Sequence, residues 1–91
     1  MKRWTVIFRA LSNINRLKII SILSRGKKMN VGDISRALSI SLKSTSNHLA
    51  IFKNLDVLDS QGSSGHVFYS LNGKMPKDFR KILGIVIGTI P

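Results

Sequence analysis

Apolar residues recur along this chain at helical spacing, except in one stretch near its end where they alternate as in a strand. Trp4, Ile7, Phe8 and Leu11 fall at i, i+3, i+4 and i+7, the stripe of a short amphipathic helix over residues 3–11. Asn13 is a good N-cap for a second helix, with Ile14, Leu17, Ile20 or Ser21, and Leu23 facing inward, and Gly26, Lys27 and Lys28 end it in a basic loop. A third, short helix over residues 31–38 turns Ile34 and Leu38 inward. Ser41 then caps a fourth, whose inward stripe is Thr45, Leu49 and Phe52.

After Val57 and Leu58 the period changes from 3.6 to 2. A turn-rich tip from Asp59 to Gly65 leads into Val67, Tyr69 and Leu71, which alternate with His66, Phe68 and Ser70, and this predicts a β-hairpin. Asn72 and Gly73 close the strand, and Pro76 opens a last helix over 76–90. That helix carries Phe79, Ile82, Leu83, Val86, Ile87 and Ile90 on one stripe. So apolar a stripe suits a helix buried on another chain, together with the Trp4 helix; the alternative is a purely intramolecular core. Gly84 and Gly88, four apart, permit close helix approach but are common by chance outside membranes. Ile82 to Ile90 is too short to span a bilayer, which takes about 20 apolar residues.

The exposed face of the fourth helix is rich in short donors and acceptors: Lys43, Ser44, Ser46 and Asn47. Asn pairs with adenine in the major groove, Ser serves base edges or phosphates, and Lys reaches guanine or backbone oxygens. Taken alone, the same face also fits an ordinary solvated helix. Charge changes the picture. Fifteen Lys and Arg stand against four Asp and no Glu, for a net charge of +11 in 91 residues. Residues 1–32 hold eight of the basic side chains and no acidic one. The first partner class for so basic a small chain is nucleic acid, ahead of an anionic membrane surface or a charge carried only for solubility.

A chain of this length is expected to form one domain, 1–91, that buries roughly 60 to 65% of its unfolded surface, a thin core that a second chain would thicken. It contains no cysteine, so no disulfide staples it; this is compatible with a reducing cytosol and by itself neutral about compartment, and the location expected is cytoplasmic. The opening MKRWTVIFRAL has the look of a signal peptide, but Arg9 interrupts its apolar run and no small-residue cleavage site follows, so it belongs to the fold. No catalytic constellation is present: the four Asp are scattered at 33, 56, 59 and 78, and no Gly-rich phosphate loop precedes a helix. An enzyme is not expected, nor any cofactor.

These elements together predict an α+β, mainly helical fold: a winged helix-turn-helix with a two-stranded β-wing and terminal dimerisation helices. The stretch from Leu11 to Leu71 also resembles the ArsR-type (ArsR/SmtB) transcriptional repressors over two-thirds of the chain. LSNINRLKIISIL is similar to that family's opening pattern, and LSISLKSTSNHLAIFKNLDVL to its turn and recognition helix, most specifically around Ser46, Asn47, His48 and Leu49. The resemblance implies that Leu42, Lys43, Ser44, Ser46 and Asn47 lie in the major groove. His48 is then a phosphate contact or a helix-packing histidine, and Arg16 either holds helices together or touches the backbone. In the wing, beside Gly65, His66 stands where the family usually offers an Arg.

The expected contacts to double-stranded DNA are therefore Ser41, Leu42, Lys43, Ser44, Ser46, Asn47, His48 and Lys53, with Gln61, Ser63, Ser64 and His66 on the wing. The expected homodimer interface is Trp4, Ile7, Phe8, Leu11, Phe79, Ile82, Leu83, Val86 and Ile87. Many relatives sense metal through cysteines of the third helix or through acidic and His residues of the last. Here Met29 to Asp33 occupy the first region and the last helix offers only Asp78, so no metal is expected. Asp56 replaces the Gly that commonly follows the recognition helix, and Asp tolerates a left-handed turn better than most residues. Two other readings remain: a sequence-tolerant protein that coats DNA, and a winged-helix module that binds a protein partner through the apolar residues of its ends.

Overall fold

The computed structural model describes residues 1–89; Ile90, placed on the last helix's stripe by its spacing, lies outside them. Five helices and three strands follow in the order α1 (Lys2–Leu11), α2 (Ile14–Leu23), β1 (Met29–Asn30), α3 (Val31–Leu38), α4 (Leu42–Asn54), β2 (Leu58–Ser63), β3 (His66–Leu71) and α5 (Lys77–Thr89). The strands form one antiparallel sheet in the order β1-β3-β2. The expected hairpin is β2 and β3, in register from Leu58 opposite Leu71 to Ser63 opposite His66, so Asp59 to Ser63, read as part of the turn-rich tip, are strand and the tip is shorter than expected.

Its turn is Ser64 and Gly65, both at positive φ (51° and 79°), the pattern of a two-residue turn whose twist matches that of the strands. The third strand, β1, was not expected. Met29 pairs with Tyr69 and Asn30 with Phe68, which ties the start of the helix-turn-helix to the hairpin. Asn30 serves both elements, because its side chain also accepts from the Asp33 N–H and caps α3.

Local chemistry sets the helix boundaries. The Asn13 side chain accepts from the Asn15 and Arg16 N–H groups to start α2, and Ser41 accepts from the Ser44 N–H to start α4. Pro76 immediately precedes α5, and its carbonyl accepts the Arg80 N–H. Asp56, just past α4, takes the left-handed conformation at φ 60°, as its place after the recognition helix suggested.

One core joins all of these elements. Ile7, Ile19, Ile20, Leu23, Ile34, Leu49, Phe52, Val57, Leu58 and Phe79 are almost wholly excluded from solvent, and Thr45 joins them. The inward stripe read for α4 is correct at all three positions. That of α2 needs revision: Ile14 is exposed, and the buried face is Ile19, Ile20 and Leu23 with Leu17 partly covered. Apolar residues surround most of α2, so spacing alone admits more than one face.

The terminal helices also differ from expectation. Ile7, Leu11, Phe79 and Leu83 were expected against a second chain, but they are buried within this protomer's own core. Ile82, Val86 and Ile87 are partly buried. The physical reason is that each terminal helix is apolar on more than one side. One side completes the core, and the other leaves Trp4, Phe8 and Ile85 exposed.

Candidate nucleic-acid interface

The turn between α3 and α4 sets the direction of the reading helix. Ser39 ends α3 in the left-handed region (φ 55°, ψ 43°). Across that corner Ser35, nearly buried, donates its hydroxyl to the Ile40 carbonyl at 2.7 Å, and the Ile40 N–H returns to the Ser35 carbonyl at 3.2 Å. Ser41 then caps α4, and Thr45 donates to the Ser41 carbonyl at 2.8 Å while its methyl-bearing side is buried in the core. The first turn of α4 is thus fixed from both sides. Its outer face is free to meet a ligand: Ser41, Leu42, Lys43, Ser46 and Asn47 are exposed, and Ser44 is half-buried with its N–H committed to the cap. Lys53 is exposed in the last turn of the same helix.

On the wing, Gln61, Ser63, Ser64 and His66 are all exposed. Lys28 donates to the Gln61 side-chain oxygen at 3.2 Å, which draws the basic loop after α2 onto the hairpin. His66 stands edge-on to Phe68, with ring centroids 6.3 Å apart. Helix and wing meet in a cleft of about 530 Å³ lined by Leu42 and Ser46 from α4, by Gly65, His66, Val67 and Tyr69 from the wing, by Asn30 to Gly32 at the start of α3 and by Arg36 in its last turn. The fold therefore brings together reading-helix and wing residues far apart in sequence. Arg36 and Val67 were not anticipated. Arg36 sits on the outer face of α3, where it pairs with Asp33 at 2.7 Å, and only its place in the cleft marks it as a potential DNA contact.

His48 has a different setting. Arg16 donates from Nε to the Ala10 carbonyl at 2.6 Å, from Nη2 to the Arg9 carbonyl at 3.2 Å, and from Nη1 to Nδ1 of His48 at 3.3 Å. A guanidinium has no acceptor, so Nδ1 must accept and the neutral ring carries its proton on Nε2. Burial, and after it the Arg16 charge, hold the His48 pKa below its ordinary value. His48 and Arg16 together tie the end of α1 to the middle of α4, which favours the packing role for both. Only the Nε2–H of His48 is left to donate elsewhere.

Among the described residues, no three of His, Asp, Cys and Glu come together as a metal site would require, and no helix is long and apolar enough to cross a membrane. A locked turn, a reading helix with an exposed polar face and a hairpin beside it define a winged helix-turn-helix DNA-binding domain. Residues 13–60 match the family described as "Bacterial regulatory protein, arsR family". The chain belongs to this family of transcriptional regulators, whose members are not enzymes.

Two curated relatives illustrate the likeness. The transcriptional repressor SdpR of Bacillus subtilis is 36% identical over 72 residues, 79% of each chain. The cadmium resistance transcriptional regulatory protein CadC of Listeria innocua is 39% identical over 62 residues, 68% of this chain but only 52% of CadC, so the match spans about half of that protein. In fold, the chain is similar to the homodimeric winged helix-turn-helix DNA-binding domain of Mb0332 from Mycobacterium bovis, with a TM-score of 0.76, 21% identity, and 93% of this chain and 75% of that one covered.

Proposed function

We propose that the protein is a sequence-specific, homodimeric transcriptional repressor that works without a bound metal. The observation that carries this reading is the exposed face of Lys43, Ser46 and Asn47, which leads a helix whose first turn is held rigid by Ser35, Ser41 and Thr45. Groups that read base edges need such fixed positions, whereas phosphate neutralisation alone does not. Asn47 pairs with an adenine, Ser46 and Lys43 contact neighbouring bases or phosphates, and Gln61, Ser63, Ser64 and His66 follow the backbone along the wing.

Dimerisation is supported by the Trp4–Phe8 stack, with ring centroids 6.1 Å apart and the two residues 38% and 57% exposed, and by the exposed Ile85 on the other terminal helix. Two such reading helices enter successive major grooves about 34 Å apart. The net charge of +11 supplies the nonspecific attraction, and repression follows from occlusion of a promoter. Metal independence is supported by the ligand inventory: His48 and His66 are the only imidazoles, there is no Cys or Glu, and one ring nitrogen of His48 is already engaged by Arg16.

The test is fluorescence anisotropy with duplex DNA from upstream of the protein's own gene against a scrambled duplex, from about 50 to 200 mM salt. A preference of about 1000-fold or more that persists at the higher salt supports the regulator. Equal affinities that collapse together with salt would replace it with a DNA-coating protein held by charge.

A further inference from the structure

The first two exposed turns of α4 carry two parallel stripes, one turn apart at each step. Lys43 and Asn47 form one, and both are polar. Leu42 and Ser46 form the other, and they line the cleft toward the wing. Leu42 is 57% exposed at the first position of the helix. Among the described residues, neither the core cluster nor the helix cap uses this leucine. The helix start is made by the Ser41 cap, and the buried core does not include Leu42. Across the cleft stands a second exposed apolar residue, Val67, at 49%. Leu42 from the reading helix and Val67 from the wing thus line one cleft, which Arg36 and His66 also line.

The major groove offers one apolar group, the C5-methyl of thymine, and residues at the start of a recognition helix are the ones that meet base edges. Resting on the DNA-reading function proposed above, we propose that Leu42 packs on a thymine methyl, so that each half-site carries an A·T pair beneath the first turn of α4. Specificity at that base pair is then carried by an apolar contact, next to the hydrogen bonds of Ser46 and Asn47.

The contact can be tested one methyl at a time. An operator is selected from a random duplex pool, and each thymine is then replaced singly by deoxyuridine, which removes only the methyl. Anisotropy titrations are run with the wild-type protein and with Leu42→Ala, whose unchanged circular dichroism spectrum verifies folding. The expected result for the wild type is about fourfold weaker binding at one thymine per half-site, the equivalent of roughly 0.8 kcal/mol for one methyl group returned to water. Leu42→Ala is expected to bind thymine and deoxyuridine equally at that position. An operator bound selectively but indifferent to every replacement overturns the Leu42 assignment alone. The same follows if Leu42→Ala keeps the wild-type penalty. Failure of the wild type to prefer any selected duplex over a scrambled one overturns the parent reading together with this one.

Discussion

Arg16 and His48 are 32 positions apart in sequence, and a 3.3 Å hydrogen bond joins them where α1, α2 and α4 meet. Arg16 spends three donors on this junction, two of them on the Arg9 and Ala10 carbonyls at the end of α1. His48 lies one position beyond Asn47, so the junction also anchors the reading helix from behind. Arg16→Ala is expected to lower the unfolding free energy by about 2 to 3 kcal/mol in urea titrations, with Arg16→Lys recovering only part of it, because a lysine cannot span three acceptors in one plane.

The same pair makes stability depend on pH. The His48 pKa in the folded protein lies below its ordinary value of 6.5, first through burial and then through the Arg16 charge. As pH falls, the unfolded chain therefore takes up the proton before the folded one does. The stability from this residue is intact above about pH 6.5 and is lost progressively as pH falls below it, through the window down to the folded pKa. Urea midpoints measured from pH 7.5 to 5 should fall in the wild type, and the fall should be shallower in His48→Gln.

Ser35→Ala removes the hydroxyl that braces the turn. About 1 to 2 kcal/mol of stability should be lost, since the Ile40 carbonyl keeps no other partner from Ser35's side chain. DNA affinity should fall as well, although Ser35 lies in the core-facing side of α3 and away from the reading face. Equilibrium unfolding and anisotropy on the same variant would show both effects.

Replacing Ser46 and Asn47 together by Ala should cost roughly 1 to 3 kcal/mol of discrimination for each lost base contact. Affinity for random DNA should change little, because the basic residues are untouched. Equal losses on operator and random duplexes would show that these side chains do not read bases.

Trp4→Ala with Phe8→Ala should convert a dimer into a monomer in sedimentation equilibrium and leave the helical circular dichroism signal in place. Both side chains are exposed in the protomer, so the core survives their removal. Ile7→Ala offers the contrast: Ile7 is fully buried, and its truncation should unfold the chain by about 2 to 5 kcal/mol whatever the oligomeric state.

How much of this was legible in the sequence depended on whether a feature was local. The reading helix was legible because its cap and its inward stripe, Ser41 with Thr45, Leu49 and Phe52, sit within twelve positions of one another. The left-handed turn at Asp56 was legible only through the family resemblance, in which a Gly commonly stands at that place. Strand β1 was not, since two residues show no alternation and Met29 and Asn30 are a strand only through pairing with Tyr69 and Phe68. The face of α2 was ambiguous because apolar residues lie nearly all round it. Ser35 looked like any polar residue of a surface helix, and its partner appears only once Ser39 turns the chain back. Arg36 and Val67 likewise enter the site through topology, which sets α3 and β3 on the two sides of one cleft.

The double service of Asn30 bears on what DNA this protein can accept. Its backbone belongs to the sheet that carries the wing, and its side chain begins the helix that leads into the reading helix. Asn30 is therefore one direct link between the two DNA-facing parts, alongside the Met29–Tyr69 pairing and the shared core. On the function proposed above, reading helix and wing meet the duplex at the spacing that this shared residue helps to set. On that reading, a duplex whose groove width differs has to bend or narrow to fit, and the energy of that deformation adds selectivity at base pairs that no side chain touches.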